Sequence, residues 1–433
     1  MNYDARNIVL NILTEVFGKA RFLNDACDEA FRAYPDLQDR DRRFILKLSK
    51  GVTERKITLD AVLQNYSSVP LQKMKPAVRL ILCMGLYQIL FMETEAYAAV
   101  SESVKLTVKR GYSGLRGFVN GVLRKVSSEK EQALSKLYAR ERCAVPEFLW
   151  DSFVSWYGAE TAERIFRYML SEESEKLYVR RNTQKVTEEA LTEMLSDEGA
   201  SLVPTGFSED TYVLHDRSSL TGLQAFRDGL FYVQDLSSAL SGEPLRALCA
   251  AAGPDFSVLD VCAAPGGKSL HVADMLGKKG QILSCDVSER KTALIRENAV
   301  RAGAENIEVR VQDASEFVPA FEHAFDLVIA DVPCSGLGII GGKPDIKYHV
   351  TAESLASLLE LQKKILNHVI RYVKPGGVLM FSTCTVNPAE NTGNRDQILR
   401  TDSAFSLKCE RQFLPGLDPC DGFYYAMFEK KRT

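Results

Sequence analysis

Two cysteines, each at the end of an apolar run, are the residues best suited to covalent chemistry. Cys334 follows residues 329–333 in the run IADVPCSG, and Cys384 follows residues 381–383 in the run FSTCTVNP. A cysteine thiolate can add to an electron-poor carbon and later be expelled. If both runs are parallel strands of one sheet, their carboxyl ends face the same crevice, where ligands bind. The spacing therefore predicts two thiols in one site, although a single cysteine at a strand end is more often a packing residue.

A loop of small residues precedes these cysteines, between a predicted strand and its helix. Its members are Cys262, Ala263, Ala264, Pro265, Gly266, Gly267 and Lys268. The two glycines let the backbone approach a ligand closely. The loop lacks the G-x-G-x-x-G fingerprint of dinucleotide sites, and it lacks the first glycine of the phosphate-binding P-loop. ATP binding is therefore disfavoured, and so is a pyrophosphate-containing cofactor.

Acidic residues end the next two predicted strands. Asp286 lies 20 residues after Gly266, where a carboxylate can accept both hydroxyls of a ribose. Asp313 follows the third strand, where an acid can accept the adenine amino group. One acid at a strand end often only caps the next helix. Together with the small-residue loop, the two acids predict an adenosine-containing cofactor without a pyrophosphate. S-adenosylmethionine fits this description, and NAD fits it less well.

A methyl donor beside a thiol suits methylation at carbon 5 of a cytosine. That carbon is a poor nucleophile until a thiolate adds to carbon 6 and makes an enamine; a base later removes the carbon-5 proton and the thiol is expelled. Such a site needs a cysteine and a donor to ring nitrogen N3. Cys334 or Cys384 can supply the thiol, and Asp331, kept protonated by burial, can supply the donor.

These residues need a sheet to position them, and the second half of the chain predicts one. Strand-like and helical stretches alternate, which favours right-handed crossovers and a mainly parallel, doubly wound sheet. The predicted strands cover residues 257–262, 281–286, 307–311, 325–331 and 377–383. The predicted helices cover residues 236–251, 268–276, 289–302 and 352–373. We therefore expect an α/β catalytic domain over residues 236–433.

The first part of the chain has helical spacing and no strand alternation. We predict helices over residues 3–17, 21–33, 39–54, 57–65, 73–91, 96–109 and 113–126. An all-helical domain over residues 1–128 is followed by a charged linker over 129–145. An α+β domain follows over 146–235, with helices at 146–158 and 159–171, strands at 176–182, 201–204 and 211–214, and Thr187 as a helix cap.

Composition restricts the class of protein. The 433 residues suit several domains, and no apolar run spans a bilayer. Ten cysteines without a C-x-x-C pair argue against a zinc ribbon or a redox dithiol, so we expect no metal. No secretory leader is evident, so a cytoplasmic location is expected. We also expect a monomer. Residues 1–128 carry 20 Lys and Arg against 13 Asp and Glu, a basic balance that suits a polyanionic partner.

The chain resembles known families in both halves. Residues 1–128, with YAAVSESV at 97–104 and FVNGVLRK at 118–125, resemble the NusB fold, a small helical RNA-binding module. The set CAAPGGK at 262–268, Asp286, Asp313, ADVPCSGLG at 330–338 and STCTVNPAEN at 382–391 resembles the RNA cytosine-5 methyltransferases. The combination is similar to bacterial members that act on 16S ribosomal RNA, and it covers essentially the whole chain.

The resemblance implies a role for each site residue. Cys384 is the nucleophile, Cys334 assists release of the product, and Asp331 holds the target cytosine. The loop 262–268 lines the S-adenosylmethionine site together with Asp286, Asp313 and Asp331, and Lys268 contacts the base or the cofactor. Expected RNA contacts are Lys105, Lys109, Arg110, Arg124, Lys125 and Lys343.

One segment departs from the family pattern. Where relatives often carry two arginines, residues 339–342 read Ile-Ile-Gly-Gly. Two lost cations weaken phosphate contacts there. We expect Lys343 and Lys347 to compensate.

Four other functions stay open at this point. A different RNA, such as tRNA, could be the substrate. The chain could be an RNA-binding assembly factor with a vestigial catalytic domain, or a nucleotide-dependent oxidoreductase on a related sheet. It could also methylate DNA, in which case the cysteine of the Pro-Cys motif is the nucleophile and Cys384 is dispensable.

Overall fold

A computed structural model of the chain describes residues 3–92, 94–216 and 219–432. It divides into two compact units, one of Met1–Leu170 with Ile340–Val350 and one of Ser171–Ile339 with Thr351–Thr433. The boundary at Leu170 lies inside the segment 146–235, so the two helices that open this segment belong to the helical unit. Within the described ranges, no helix is long and apolar enough to cross a membrane.

The first unit is built from helices. They are α1 (Ala5–Lys19), α2 (Leu23–Ala33), α3 (Asp39–Tyr66), α4 (Pro76–Phe91), α5 (Ala96–Lys109), α6 (Arg116–Ser128), α7 (Lys130–Ser135), α8 (Ala139–Arg142), α9 (Glu147–Tyr157) and α10 (Ala159–Met169). The predicted break between residues 54 and 57 is wrong, because α3 runs through it. Arg55 and Lys56 are good helix formers and not breakers. Lys56 also pairs with Asp60 one turn later.

Helix α4 lies at the centre of this unit. It is apolar nearly all round, as expected of a helix surrounded by others. Pro76 occupies its first turn, where the missing N–H costs nothing. A Cβ on Gly85 would lie 2.7 Å from Leu123 Cδ1 and 2.8 Å from Ser103 Oγ, so the glycine lets α5 and α6 approach closely.

The second unit begins with a small antiparallel sheet. Its strands are β1 (Tyr178–Arg181), β2 (Ser201–Pro204), β3 (Thr211–His215) and β4 (Phe231–Val233), in the order β2-β3-β1-β4. Two helices accompany it, α11 (Glu188–Asp197) and α12 (Gln224–Arg227). The predicted cap is confirmed, because Thr187 accepts a hydrogen bond from the Ala190 backbone N–H. Arg180 of β1 is buried and pairs with Asp274 at 2.8 Å.

The rest of this unit is a seven-stranded sheet with helices on both faces. Its elements are α13 (Leu236–Leu240), α14 (Arg246–Ala250), β5 (Ser257–Asp260), α15 (Gly267–Leu276), β6 (Gln281–Asp286), α16 (Glu289–Ala302), β7 (Ile307–Val311), β8 (Phe325–Asp331), α18 (Ala352–Tyr372), β9 (Val373–Thr383), α19 (Thr392–Thr401), β10 (Phe405–Phe413) and β11 (Phe423–Lys430). The strand order is β10-β11-β9-β8-β5-β6-β7. Strands β5 to β9 are parallel, and β10 and β11 are antiparallel.

Side-chain alternation builds a core on each face of this sheet. On β8, Val328 and Ala330 join one buried cluster, whereas Leu327 and Ile329 join the other. Both faces of the parallel strands are therefore apolar, as expected where helices cover both sides. This confirms the α/β class. The strands β6, β7 and β8 have the predicted bounds.

One prediction for this unit is wrong, and two strands were missed. The single helix expected over 236–251 is interrupted between α13 and α14 by a 3-10 turn at Glu243–Leu245. Gly242 precedes this turn and permits a close approach, since a Cβ there would lie 2.4 Å from the ring of His271. Strands β10 and β11 were not predicted, although FSLKCERQF alternates apolar and polar residues as an edge strand does.

Residues 340–350 leave the second unit and pack within the first. They contain α17 (Ile346–His349). Lys347 Nζ donates to the carbonyl oxygen of Glu54 at 2.6 Å, and the Tyr348 hydroxyl donates to that of Thr53 at 2.8 Å. Lys347 was expected to contact phosphate, and this is wrong because its side chain is buried. Burial lowers the pKa of Lys347 to about 7.

Candidate active site at the carboxyl ends of the strands

The two cysteines lie side by side at the ends of neighbouring strands. Strands β8 and β9 are parallel, with Asp331 opposite Ser382 in the last register pair. Cys334 follows β8 and Cys384 follows β9, and their Sγ atoms are 3.3 Å apart. Both side chains are half-buried. The structure thus brings the two thiols together in one crevice, where a single bound base can reach both.

The surroundings of Cys334 disfavour its ionisation. The hydrogen bond with Cys384 raises the pKa of Cys334 well above the usual value. Burial raises it further, and so does the negative charge of Glu390. The thiol form of Cys334 is therefore favoured at neutral pH.

Asp331 lies beside the thiols and forms an ion pair. Its Oδ2 accepts from Lys268 Nζ at 2.6 Å, and its Oδ1 accepts from the Ser382 hydroxyl at 2.8 Å. Lys268 also lies over the ring of Phe423, with Nζ 4.9 Å from the ring centroid. Asp331 is half-buried, and its carboxylate pairs with the ammonium group of Lys268. Lys268 is the stronger candidate for donating to a base.

The loop 262–268 is held by the strands around it. The Ala263 N–H donates to the Cys285 carbonyl at 2.9 Å, and the Ala264 N–H donates to Asp286 Oδ2 at 3.0 Å. Gly266 has φ +108°, a conformation open to glycine, and α15 begins directly after it. The loop therefore passes close to the ends of β5 and β6 with little side-chain bulk.

Asp286 and Asp313 lie at the ends of the adjacent strands β6 and β7. Asp286 Oδ1 accepts from the Val287 N–H at 2.7 Å and pairs with Lys291 at 3.1 Å. Asp313 Oδ1 accepts from the Ser315 N–H at 2.8 Å. Adenosine offers ribose hydroxyls and an adenine amino group, all donors that suit these carboxylates. Val287 is 54% exposed beside Asp286 and offers a flat base an apolar surface. These two carboxylates and the apolar surface beside them therefore fit an adenosine-containing cofactor.

Sequence reasoning missed three residues of this site. Phe423 under Lys268 comes from β11, a strand that was not predicted. Gly422, next to it, packs against the Pro-Cys loop: a Cβ on Gly338 would lie 1.9 Å from the Gly422 carbonyl oxygen. Glu390 lies in the recognised Thr-Cys motif, but nothing in the pattern showed that its carboxylate is fully buried.

The expected RNA contacts lie in the first unit. Lys105 and Lys109 are exposed on α5 and pair with Glu102 and Asp4. Arg110 donates to the side chain of Asn11. The other three lie at the surface: Arg124 and Lys125 on α6, and Lys343 just before α17. Among the described residues, no group of His, Cys, Asp and Glu could hold a metal ion.

Asp260, a buried acid at the end of β5 just before the loop 262–268, makes the stability of the second unit depend on pH. Burial raises the pKa of Asp260 to about 7, against an ordinary value of 3.8. Between these values the folded chain keeps a proton that the unfolded chain has lost, so the free energy of unfolding falls as pH rises. From about pH 5 to about pH 7 we expect the free energy of unfolding of the wild type to fall by about 2 kcal/mol. Asp260→Asn should not show this fall. Urea denaturation followed by circular dichroism measures it, and equal slopes in both proteins would contradict it.

Comparison with known proteins identifies the family. The NusB family model matches residues 3–128, and the model described as 16S rRNA methyltransferase RsmB/F matches residues 248–429. A probable ribosomal RNA small subunit methyltransferase B of Bacillus subtilis is 36% identical, covering 92% of each chain. Its namesake in Synechocystis is 30% identical, covering 92% of this chain and 89% of that one.

Solved structures show the same fold. The crystal structure of NSun6 from Pyrococcus horikoshii with SFG has a TM-score of 0.59 and 21% identity, and the match covers 66% of this chain and 99% of that one. The two family models match the N-terminal and the C-terminal parts of the chain, and the relatives match over nearly their full length. The chain therefore belongs to the RsmB/F family of 16S rRNA methyltransferases.

Proposed function

We propose that this protein methylates carbon 5 of a cytosine in 16S ribosomal RNA, with S-adenosylmethionine as methyl donor, through a covalent bond from Cys384 to carbon 6. The observation that carries the proposal is the pair of thiols 3.3 Å apart at adjacent strand ends, with Asp331 and Lys268 beside them. Family membership supports the RNA substrate. The acids at the ends of β6 and β7 support the cofactor.

The chain's own groups account for the steps around methyl transfer. Lys268 and Asp331 offer a donor and an acceptor that can hold the cytosine edge. The Cys384 thiolate adds to carbon 6 and so makes carbon 5 nucleophilic. S-adenosylmethionine, when bound, supplies the methyl group. A base then removes the carbon-5 proton, and the electron pair of that bond expels Cys384 as a thiolate.

The assignment of the two cysteines follows the family resemblance, in which the cysteine of the Thr-Cys motif attacks and that of the Pro-Cys motif assists release. The contact with Cys384, burial and the carboxylate of Glu390 all raise the pKa of Cys334 and so favour its thiol form. Its Sγ lies within reach of the Cys384 Sγ, so its proton can pass to the departing thiolate. We therefore assign attack to Cys384 and assistance in release to Cys334.

Residues outside the crevice hold the RNA in this proposal. The helical segment 1–128 and the α+β segment 146–235 would each contribute RNA contacts, and the protein would act as a monomer. Lys105, Lys109, Arg110, Arg124, Lys125 and Lys343 would contact phosphates. The ion pairs of Lys105 and Lys109 are exposed and hold these cations weakly, so RNA can displace them.

Release of the carbon-5 hydrogen tests the proposal. We expect 16S RNA transcribed with 5-tritiated cytidine to lose one tritium for each methyl group gained from labelled S-adenosylmethionine. A tRNA transcript labelled in the same way serves as the control and should lose none. Methyl incorporation without tritium loss would place the methyl group on another atom and overturn the proposal.

A further inference from the structure

Glu390 is a buried carboxylate that connects the loops of both cysteines. Its side chain has no solvent exposure. Oε1 accepts from the Ser335 N–H and from Gln362 Nε2, each at 2.9 Å. Oε2 accepts from the Ser335 hydroxyl at 2.5 Å, from Asn387 Nδ2 at 3.0 Å and from the Thr385 hydroxyl at 3.3 Å. Ser335 directly follows one active-site cysteine and Thr385 follows the other, so one carboxylate bonds to both loops.

The contacts around Glu390 select a group that only accepts. All five are donors, and a deprotonated carboxylate is the side chain with two accepting oxygens and no donor. Hydrogen bonds to a charged acceptor are roughly twice as strong as neutral ones. A glutamine of the same shape would place an NH₂ group against donors and leave some of them unpaired.

A helix supports this arrangement from behind. Gln362 of α18 donates to Glu390 and also to the Pro333 carbonyl at 2.8 Å, just before Cys334. Its amide oxygen accepts from Asn394 Nδ2 at 2.7 Å, which fixes the orientation of the amide. The backbone on both sides of Cys334 is thus held against the Thr-Cys loop through one hydrogen-bonded cluster.

We propose that Glu390 is a positioning residue that holds the Cys334 loop against the Cys384 loop and thereby keeps the two thiols in contact. The proposal deepens the proposed function and rests on it, because contact between the thiols matters only if they act together on one base. Glu390 does not touch the reacting atoms. It acts through Ser335 and Thr385, the neighbours of the cysteines.

The charge of Glu390 has a second effect on the same pair. Cys384 and Glu390 both face Cys334, and each raises its pKa. Removing the carboxylate therefore lowers the pH at which Cys334 ionises. Replacing a residue that only fills space would loosen the loop without shifting the pKa of Cys334. The pH dependence of thiol reactivity therefore separates a purely structural role from the proposed positioning role.

Thiol chemistry on the free protein tests the proposal in Glu390→Gln. Dibromobimane fluoresces only after both of its ends alkylate thiols, and peptide mapping identifies the bridge between Cys334 and Cys384. We expect the bridging rate to fall about tenfold and alkylation of Cys334 by iodoacetamide to begin at lower pH. Asn387→Ala is the matched control: it removes one donor and keeps the charge, so its alkylation profile should match the wild type.

Three outcomes would overturn the proposal. They are a wild-type bridging rate in Glu390→Gln, an unchanged alkylation profile in that variant, or an equal shift in Asn387→Ala. If Glu390→Gln fails to fold, Ser335→Ala decides instead, because it removes the hydroxyl that bonds to Glu390 and to Thr385 but keeps the Ser335 N–H bond to the carboxylate. Slower bridging supports the proposal and wild-type bridging overturns it. These assays need neither RNA nor cofactor. A failed tritium-release experiment with normal thiol results would therefore reject the proposed function alone.

Discussion

Cys384→Ala is expected to abolish methylation of 16S RNA while leaving the affinity for S-adenosylmethionine within about twofold of the wild type. Without the thiolate, carbon 5 of cytosine stays too weak a nucleophile, and removing a covalent nucleophile costs about 10⁴-fold or more in turnover. The cofactor acids lie elsewhere: β8 and β5 separate β9 from β6, so Cys384 and Asp286 are on the order of 14 Å apart across the sheet.

Radiolabelled methyl transfer and isothermal titration calorimetry measure the two quantities separately. Cys409→Ala is the matched control, since Cys409 is another half-buried cysteine of the same unit, on β10 and remote from the crevice. It should retain wild-type turnover. Turnover by Cys384→Ala close to the wild type would reject the assignment and favour Cys334 as the nucleophile, the arrangement expected of DNA cytosine methyltransferases.

Much of this site could be predicted because the ends of buried parallel strands can be recognised in the sequence. Strands covered on both faces are continuous apolar runs, so the first polar or small residue marks the carboxyl end. Asp286 and Asp331 end β6 and β8 as predicted, and the two cysteines follow strand ends in the same way. These strand ends lie at the edge of the sheet where ligands bind. The apolar pattern of the strands is therefore sufficient to predict which residues line the crevice.

The remaining features depend on which tertiary partners are present. Lys343 and Lys347 are lysines of the same short segment, and the sequence does not distinguish them. Lys347 is buried against the Glu54 carbonyl, whereas Lys343 is exposed. Burial of Glu390 requires five donors from two loops and α18, and no short-range pattern encodes such a set. Phe423 reaches Lys268 only because β11 pairs with β9, a long-range contact. In each case the position of the side chain is determined by contacts with residues distant in sequence.

Cys334→Ala is expected to accumulate a covalent complex between the protein and its RNA. Attack by Cys384 and methyl transfer precede the step in which Cys334 acts, so they still proceed in the variant. Release slows because the thiol in contact with Cys384 is lost. We expect turnover to fall about 10²-fold or more, in the range that general acid–base groups contribute. A methylated adduct should appear as a band of reduced mobility on denaturing gels.

Two variants and the wild type together make this result specific. The adduct should require S-adenosylmethionine, should carry the labelled methyl group, and should vanish in the double variant Cys334→Ala with Cys384→Ala. The wild type should show no stable band under the same conditions. If Cys334→Ala gives free product at the wild-type rate, Cys334 has no part in release, and the contact between the two sulfurs reflects packing alone. If the adduct persists in the double variant, another nucleophile carries it and the roles of both cysteines must be reassigned.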